Sequence, residues 1–328
     1  MLGGIAKTPV EVFFAGGMLA ITLLLSALFG LPIRLPSHDL MIPLVATYLV
    51  PLTGAVAYSI YALLARKRTL LRELVITLPC FWVVLIAYFN LKLWTPFINP
   101  LSFDGLFWQI DQALRPLVDF CFGLRRALVP IVPYEWNLYL TGFLLLFYIS
   151  FLYHSTRTPQ ALRRIVVSAM FLQGLGALTY IALPAIGPFL YEPGSSTTSN
   201  AAEQMMLQVR QQSVAGGPHW LSGHASSVLM AGLGAMPSLH VGYAWLFLWY
   251  AIREARVLLP TYVPLFVFIV FTSVASRWHY LIDLPAGLAL SAFSIWLAAR
   301  WVPVPVEADP AAAPEPVMDG LPGFAPAI

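Results

Sequence analysis

Long apolar runs separated by short polar clusters dominate the chain. A helix needs roughly 20 apolar residues to cross the hydrocarbon core of a bilayer. Eight runs approach that length, at 12–33, 41–65, 74–94, 137–153, 165–186, 238–252, 257–275 and 280–299. Strict alternation over about ten residues, the mark of a membrane β-strand, is absent. The pattern predicts an all-α, polytopic membrane helix bundle with about eight transmembrane helices. The first run does not read as a cleavable leader, because it is long, its flanks are weakly charged, and no clean small-x-small site follows.

Two longer segments interrupt the runs. From Phe103 to Val129, Asp104, Asp111, Arg115, Asp119, Arg125 and Arg126 fall among apolar residues at roughly helical spacing. That predicts an amphipathic segment lying along the membrane surface, most simply as a scaffold collar. The second segment opens at Gly187-Pro188 and continues through PGSSTTSNAAEQ, which reads as loop, with a short amphipathic helix expected around Glu203 to Ser213. Residues 303–328 are Pro- and Ala-rich with no Lys or Arg, the composition of a disordered tail.

Composition narrows the class. Apolar types make up 59% of the 328 residues and charged types 10%, and the mean hydropathy is +0.78. An average soluble domain is about 25% charged, so an ordinary soluble enzyme is excluded. Aromatics at 14% suit anchoring at membrane interfaces. A formal charge of +3 without a basic stripe argues against a nucleic-acid partner. Cys80 and Cys121 have no CxxC or metal spacing and read as buried thiols.

Charge also orients the spans. With eight crossings, Lys7, the cluster from Arg66 to Arg72, Arg157 with Arg163 and Arg164, Arg253 with Arg256, and Arg300 all fall on one side. Basic loops mark the cytoplasmic side, which puts both termini there and the two long segments on the opposite, periplasmic or luminal, face.

Ionisable residues near a span are costly and are candidates for function. His240 lies just inside the sixth span, in GAMPSLHVGYAWLFLWY; His279 and Asp283 open the eighth, in SRWHYLIDLPAG. Both helices start on the same face, so the three residues share one depth. His279 and Asp283, four apart, would share a helical face, the carboxylate orienting the imidazole and stabilising its charged form. Helix N-termini are natural seats for phosphate. Ser238 is a plausible cap for the sixth helix, and Arg277 would hold phosphate oxygens. A phosphate seated there would meet one histidine from each helix, one to attack phosphorus and one to shuttle a proton. No HxxH-type cluster suggests a metal and no GxSxG elbow a serine hydrolase. The rival from another class is a transporter using these residues as a proton relay, which predicts polar groups near the midplane.

At these residues the chain resembles the type-2 phosphatidic-acid phosphatase superfamily, and within it the sphingolipid-synthase branch, especially inositol phosphorylceramide synthase. Gly234 to His240 (GAMPSLH) is similar to that branch's second motif, and His279-Tyr280 with Asp283 to its HYxxD motif. The resemblance implies a nucleophilic His279 that forms a phosphohistidine, Asp283 as its orienter and His240 as general acid and base, with no cofactor and no metal. A phospholipid would pass its phosphoryl headgroup to a lipid alcohol. Water as acceptor would make the enzyme a lipid phosphate phosphatase acting on a phosphatidic acid-type or polyprenyl phosphate substrate. Gly187, Pro188 and Tyr191, with Ser238 and Arg277, would shape the headgroup pocket. Residues 1–72 would then be two accessory transmembrane helices, 73–300 a six-helix catalytic membrane core, and 301–328 a cytoplasmic tail.

The sequence departs from the family pattern in places. Ser276-Arg277 lies one residue before His279, where the phosphatases have five. The family's lysine, seven residues before Arg-Pro, is not found at the end of the fifth span. Lys92 has that spacing to Asn99-Pro100 but lacks the arginine and lies two spans away, which reads as coincidence. Ser222-Gly223-His224 mimics the phosphatase PSGH motif without its proline, so His219 and His224 read as loop histidines.

Overall fold

The computed structural model describes residues 9–37 and 68–302, and among them the regular structure is helical with no strand. The expected second span, Lys7, Arg66, Lys67 and the tail from 303 lie outside the described residues.

Ten α-helices follow in order: α1 (Val10–Phe29), α2 (Arg68–Ile98), α3 (Asp104–Ala113), α4 (Arg115–Leu128), α5 (Leu138–Arg157), α6 (Pro159–Ala182), α7 (Thr197–Val228), α8 (Leu239–Glu254), α9 (Leu259–Ala275) and α10 (Asp283–Trp301). Six of them, α1, α2, α5, α6, α9 and α10, are long and apolar enough to cross a membrane. α8 has only 16 residues, about 24 Å at 1.5 Å per residue. It is apolar all round because neighbours cover it, packing against α5, α6, α9 and α10. α6 is its counterpart at the centre, against α2, α8 and α10.

α1 is attached to the outside of this bundle, on α2 and α6. Its buried Glu11 accepts from Arg163 Nε at 3.0 Å and from the Thr77 hydroxyl at 3.2 Å. A carboxylate that far from water must be paired, and here the pairing fixes how α1 enters the bundle.

The 103–129 segment is two helices rather than one. It breaks at Leu114, because Pro116 lacks an N–H and suits only the first turn of a new helix. Two of its acids turn inward: Asp104 and Asp111, with Phe107, are the buried face of α3, while Asp119 on α4 is exposed. The 187–237 segment is also more ordered than expected. α7 starts at Thr197, where the Ser196 hydroxyl accepts from Ser199 N–H as an N-cap, and it kinks at Gly217 (φ 64°) ahead of Pro218. Cys80 and Cys121 are free and half-buried rather than fully buried.

The starts of α8 and α10 are pressed together. Ser238 N–H donates to the Asp283 carbonyl at 3.0 Å. A Cβ at Gly287 would lie 2.2 Å from the Ser238 carbonyl oxygen, so no side chain fits there. This contact is what gives the two histidine motifs one depth.

Candidate active site

Ser238 caps α8, its hydroxyl accepting from Val241 N–H at 3.4 Å, and sets His240 in the first turn. His279 is not on a helix. It sits in the turn before α10, whose first residue is Asp283, so the pair meets across a turn and not along one helical face. His279 Nδ1 lies 2.8 Å from the Ala235 carbonyl and 3.5 Å from Asp283 Oδ2. A carbonyl only accepts, so Nδ1 carries the proton and Nε2 keeps a lone pair. Asp283 Oδ2 also accepts from Tyr280 N–H at 2.7 Å, tying the carboxylate to the turn. The His240 and His279 rings have centroids 6.1 Å apart at 64°, an edge-to-face approach. His240 lies against the rings of Tyr139 (5.1 Å) and Phe143 (4.6 Å).

Two acids from α3 hold the turn in place. Asp104 accepts from Ile186 and Gly187 N–H, each at 2.9 Å, from the Tyr280 hydroxyl at 2.8 Å and from the Ser102 hydroxyl at 2.7 Å. Asp111 accepts from Leu281 N–H at 2.8 Å and from Arg277 Nη1 at 3.0 Å. Burial pushes the Asp111 carboxyl up, and those two donors oppose the shift. Arg277 has φ +61°, an unfavourable left-handed conformation for a side-chain-bearing residue. Its fully buried guanidinium lies 5.3 Å from the Trp108 ring and 3.8 Å from Glu192, with Nε and Nη2 unbonded.

A family model for the PAP2 superfamily matches residues 128–297, more than half of the chain, and both histidines and Asp283 fall inside it. The chain belongs to the PAP2 superfamily. No curated protein and no solved structure matches it. Membership in the PAP2 superfamily supports a function of the lipid phosphatase or phosphotransferase type, carried out by an integral membrane protein.

The PAP2-matched region is completed by residues outside it. Asp104 and Asp111 precede it, and their helical spacing in the sequence is that of any surface helix, which hid them. Lys92 on α2 lies close to Gly234, at the start of the first histidine motif. Its Nζ is 5.2 Å from the Tyr180 ring centroid and 5.7 Å from that of Tyr88, and its Cε lies 3.3 Å from where a Cβ of Gly234 would stand. The α2–α6 packing, which sequence distance does not reveal, brings it there.

The other expected site residues line the support of the turn. Gly187 has φ +142° and gives its N–H to Asp104. Pro188 is buried, and Tyr191, partly exposed, stacks on Trp108 at 4.7 Å. His219 and His224 are exposed on α7, a helix where a loop was expected, and His224 stacks on Trp220. Among the described residues, no group of three or more His, Cys, Asp or Glu side chains is arranged to hold a metal ion.

Proposed function

We propose that this PAP2 member is a phosphotransferase like inositol phosphorylceramide synthase, moving the phosphoryl headgroup of a phospholipid to a lipid alcohol through a phosphohistidine. The observation that carries the reading is the edge-to-face pair of imidazoles, ring centroids 6.1 Å apart, one in the first turn of α8 and one in the turn before α10. His279 Nε2, left basic by the Nδ1–H bond to Ala235, attacks phosphorus. The P–O bond to the glycerol breaks as the P–N bond forms, and His240 gives the departing alkoxide its proton. The acceptor hydroxyl then loses its proton to His240 and attacks phosphorus, and the P–N bond breaks to restore His279. Asp283, 3.5 Å from Nδ1, stabilises the positive charge on the phosphorylated ring. Gly187, Pro188, Tyr191, Ser238 and Arg277 would border the headgroup.

One feature supports a lipid acceptor over water. The proton-shuttling His240 is flanked by the Tyr139 and Phe143 rings, an apolar surrounding that favours a lipid hydroxyl.

The test is incubation of the purified protein with headgroup-labelled phospholipid, with and without ceramide, in the presence and absence of EDTA. The expected result is ceramide-dependent transfer of label to a new lipid, unchanged by EDTA. Release of a water-soluble phosphoryl headgroup regardless of ceramide would replace transfer by hydrolysis. Loss of activity in EDTA, restored by added metal, would overturn the metal-free reaction.

A further inference from the structure

One face of α5 covers His240. Tyr139 and Phe143, one turn apart, lay their rings on the imidazole with centroids at 5.1 and 4.6 Å, and Phe147 continues the row against Tyr243. Phenylalanine at every position would complete an apolar cover. Position 139 carries a hydroxyl instead.

That hydroxyl is buried, and among the described residues it has no hydrogen-bond partner. An unmade buried hydrogen bond is costly, so most such groups are paired. Other buried tyrosines in this bundle follow that rule. Tyr243 donates to the Ala169 carbonyl at 2.9 Å, Tyr180 to the Pro237 carbonyl at 3.2 Å and Tyr280 to Asp104 at 2.8 Å, and Tyr262 is bonded to Ser150 at 2.7 Å.

The unbonded hydroxyl is also well placed. Tyr139 is in the first turn of α5, and helical side chains lean toward the helix N-terminus, here the histidine end. Both Tyr139 and the Asp283 carboxylate act electrostatically on Tyr180, whose own hydroxyl is bonded to Pro237, next to the Ser238 cap. Tyr139 thus belongs to the polar cluster that gathers the two histidine motifs.

We propose that the Tyr139 hydroxyl binds the alcohol oxygen whose proton His240 exchanges, first the departing glycerol oxygen and then that of the acceptor. The inference rests on the phosphoryl-transfer reading above. Tyr139 donates a hydrogen bond to this oxygen and keeps its own proton throughout. The acceptor O–H gives its proton to His240, one oxygen lone pair accepts from Tyr139, and the other attacks phosphorus as the P–N bond to His279 breaks. A hydroxyl oxygen has two lone pairs, so this arrangement leaves a single one for phosphorus. The bond from Tyr139 strengthens as negative charge builds on the oxygen, which happens in the transition state and not in bound substrate.

The test is Tyr139→Phe in the full-length protein in nanodiscs, with kcat, KM and thermal midpoint read together. The lost hydroxyl has no protein partner, so the variant should unfold at the wild-type midpoint or above it. Its kcat should fall about 10- to 100-fold with little change in KM. Phosphoenzyme formation from headgroup-labelled phospholipid and its discharge by ceramide should slow together, because one oxygen position serves both. Tyr262→Phe, which removes a hydroxyl bonded to Ser150, should do the opposite, lowering the midpoint and leaving kcat unchanged. Wild-type kcat in Tyr139→Phe would overturn the proposal. So would a loss of kcat accompanied by a midpoint as low as that of Tyr262→Phe, which would make the hydroxyl structural. If the wild type hydrolyses the phospholipid regardless of ceramide, the transfer reading falls, and slower hydrolysis in Tyr139→Phe still supports binding of the departing oxygen. If the wild type forms no phosphoenzyme, both fall.

Discussion

His279 owes its proposed role to a carbonyl oxygen. The 2.8 Å bond from Nδ1 to Ala235 selects the tautomer, and Asp283 at 3.5 Å adds charge more than geometry. We expect His279→Ala to abolish turnover and the acid-labile phosphoenzyme seen on brief exposure to labelled substrate, while the variant still unfolds cooperatively. Normal labelling in that variant would remove His279 as nucleophile. Glu203 makes a different prediction. It is buried on α7, its Oε1 has no hydrogen-bond partner, and burial pushes its carboxyl from 4.5 up to about 8, with Arg277 opposing. Between those values the unfolded chain holds fewer protons than the folded one, so this residue makes stability fall as pH rises from about 4.5 to 8. The slope is at most about 1.4 kcal/mol per pH unit. Glu203→Gln should flatten that part of the profile and raise the thermal midpoint at pH 8. An unchanged profile would show that Glu203 is ionised in the folded protein.

Helices carry these residues to one place by contacts that differ in kind. α8 and α10 meet through backbone, since Ser238 reaches Asp283 and Gly287 leaves no room for a side chain. α3 acts through carboxylates. Asp104 alone joins the 186–187 backbone to Tyr280, and Asp111 joins Leu281 to Arg277. Asp104→Asn turns one acceptor into an N–H₂ facing donors, and an unmade buried hydrogen bond costs about 1–3 kcal/mol. The expected outcome is a lower thermal midpoint together with a fall in kcat larger than any change in KM, because the His279 turn loses one of its two anchors. Wild-type kcat in a destabilised variant would reduce α3 to a scaffold.

On the scale of the molecule, all the proposed chemistry lies at one end of the bundle. Asn137, beside the α5 start that carries Tyr139 and Phe143, is at the histidine end, and Arg157 is at the other. The basic-loop asymmetry leads us to propose that the histidine end faces away from the cytoplasm. In a background without Cys80 and Cys121, Asn137→Cys should react with a membrane-impermeant maleimide in intact cells, and Arg157→Cys only after permeabilisation. The reverse pattern would invert the topology and put the site in the cytoplasm.

Six of the eight expected spans, and the histidine motifs, were legible in the chain because each is local. An apolar run records its own partition into lipid, and a histidine at its end stands out where only 10% of residues are charged. Helix edges were less clear. Pro116 split the surface segment, and the Ser196 cap extended α7 through residues whose polarity reads as loop. The roles of Asp104 and Asp111 were not legible, since each depends on its partners. The acids have the spacing of any amphipathic helix. The sequence by itself determined a helical membrane protein with two histidine motifs at one depth. Tertiary packing alone decided which acids hold the His279 turn, because hydrogen bonds and charge act through distance in space and not along the chain.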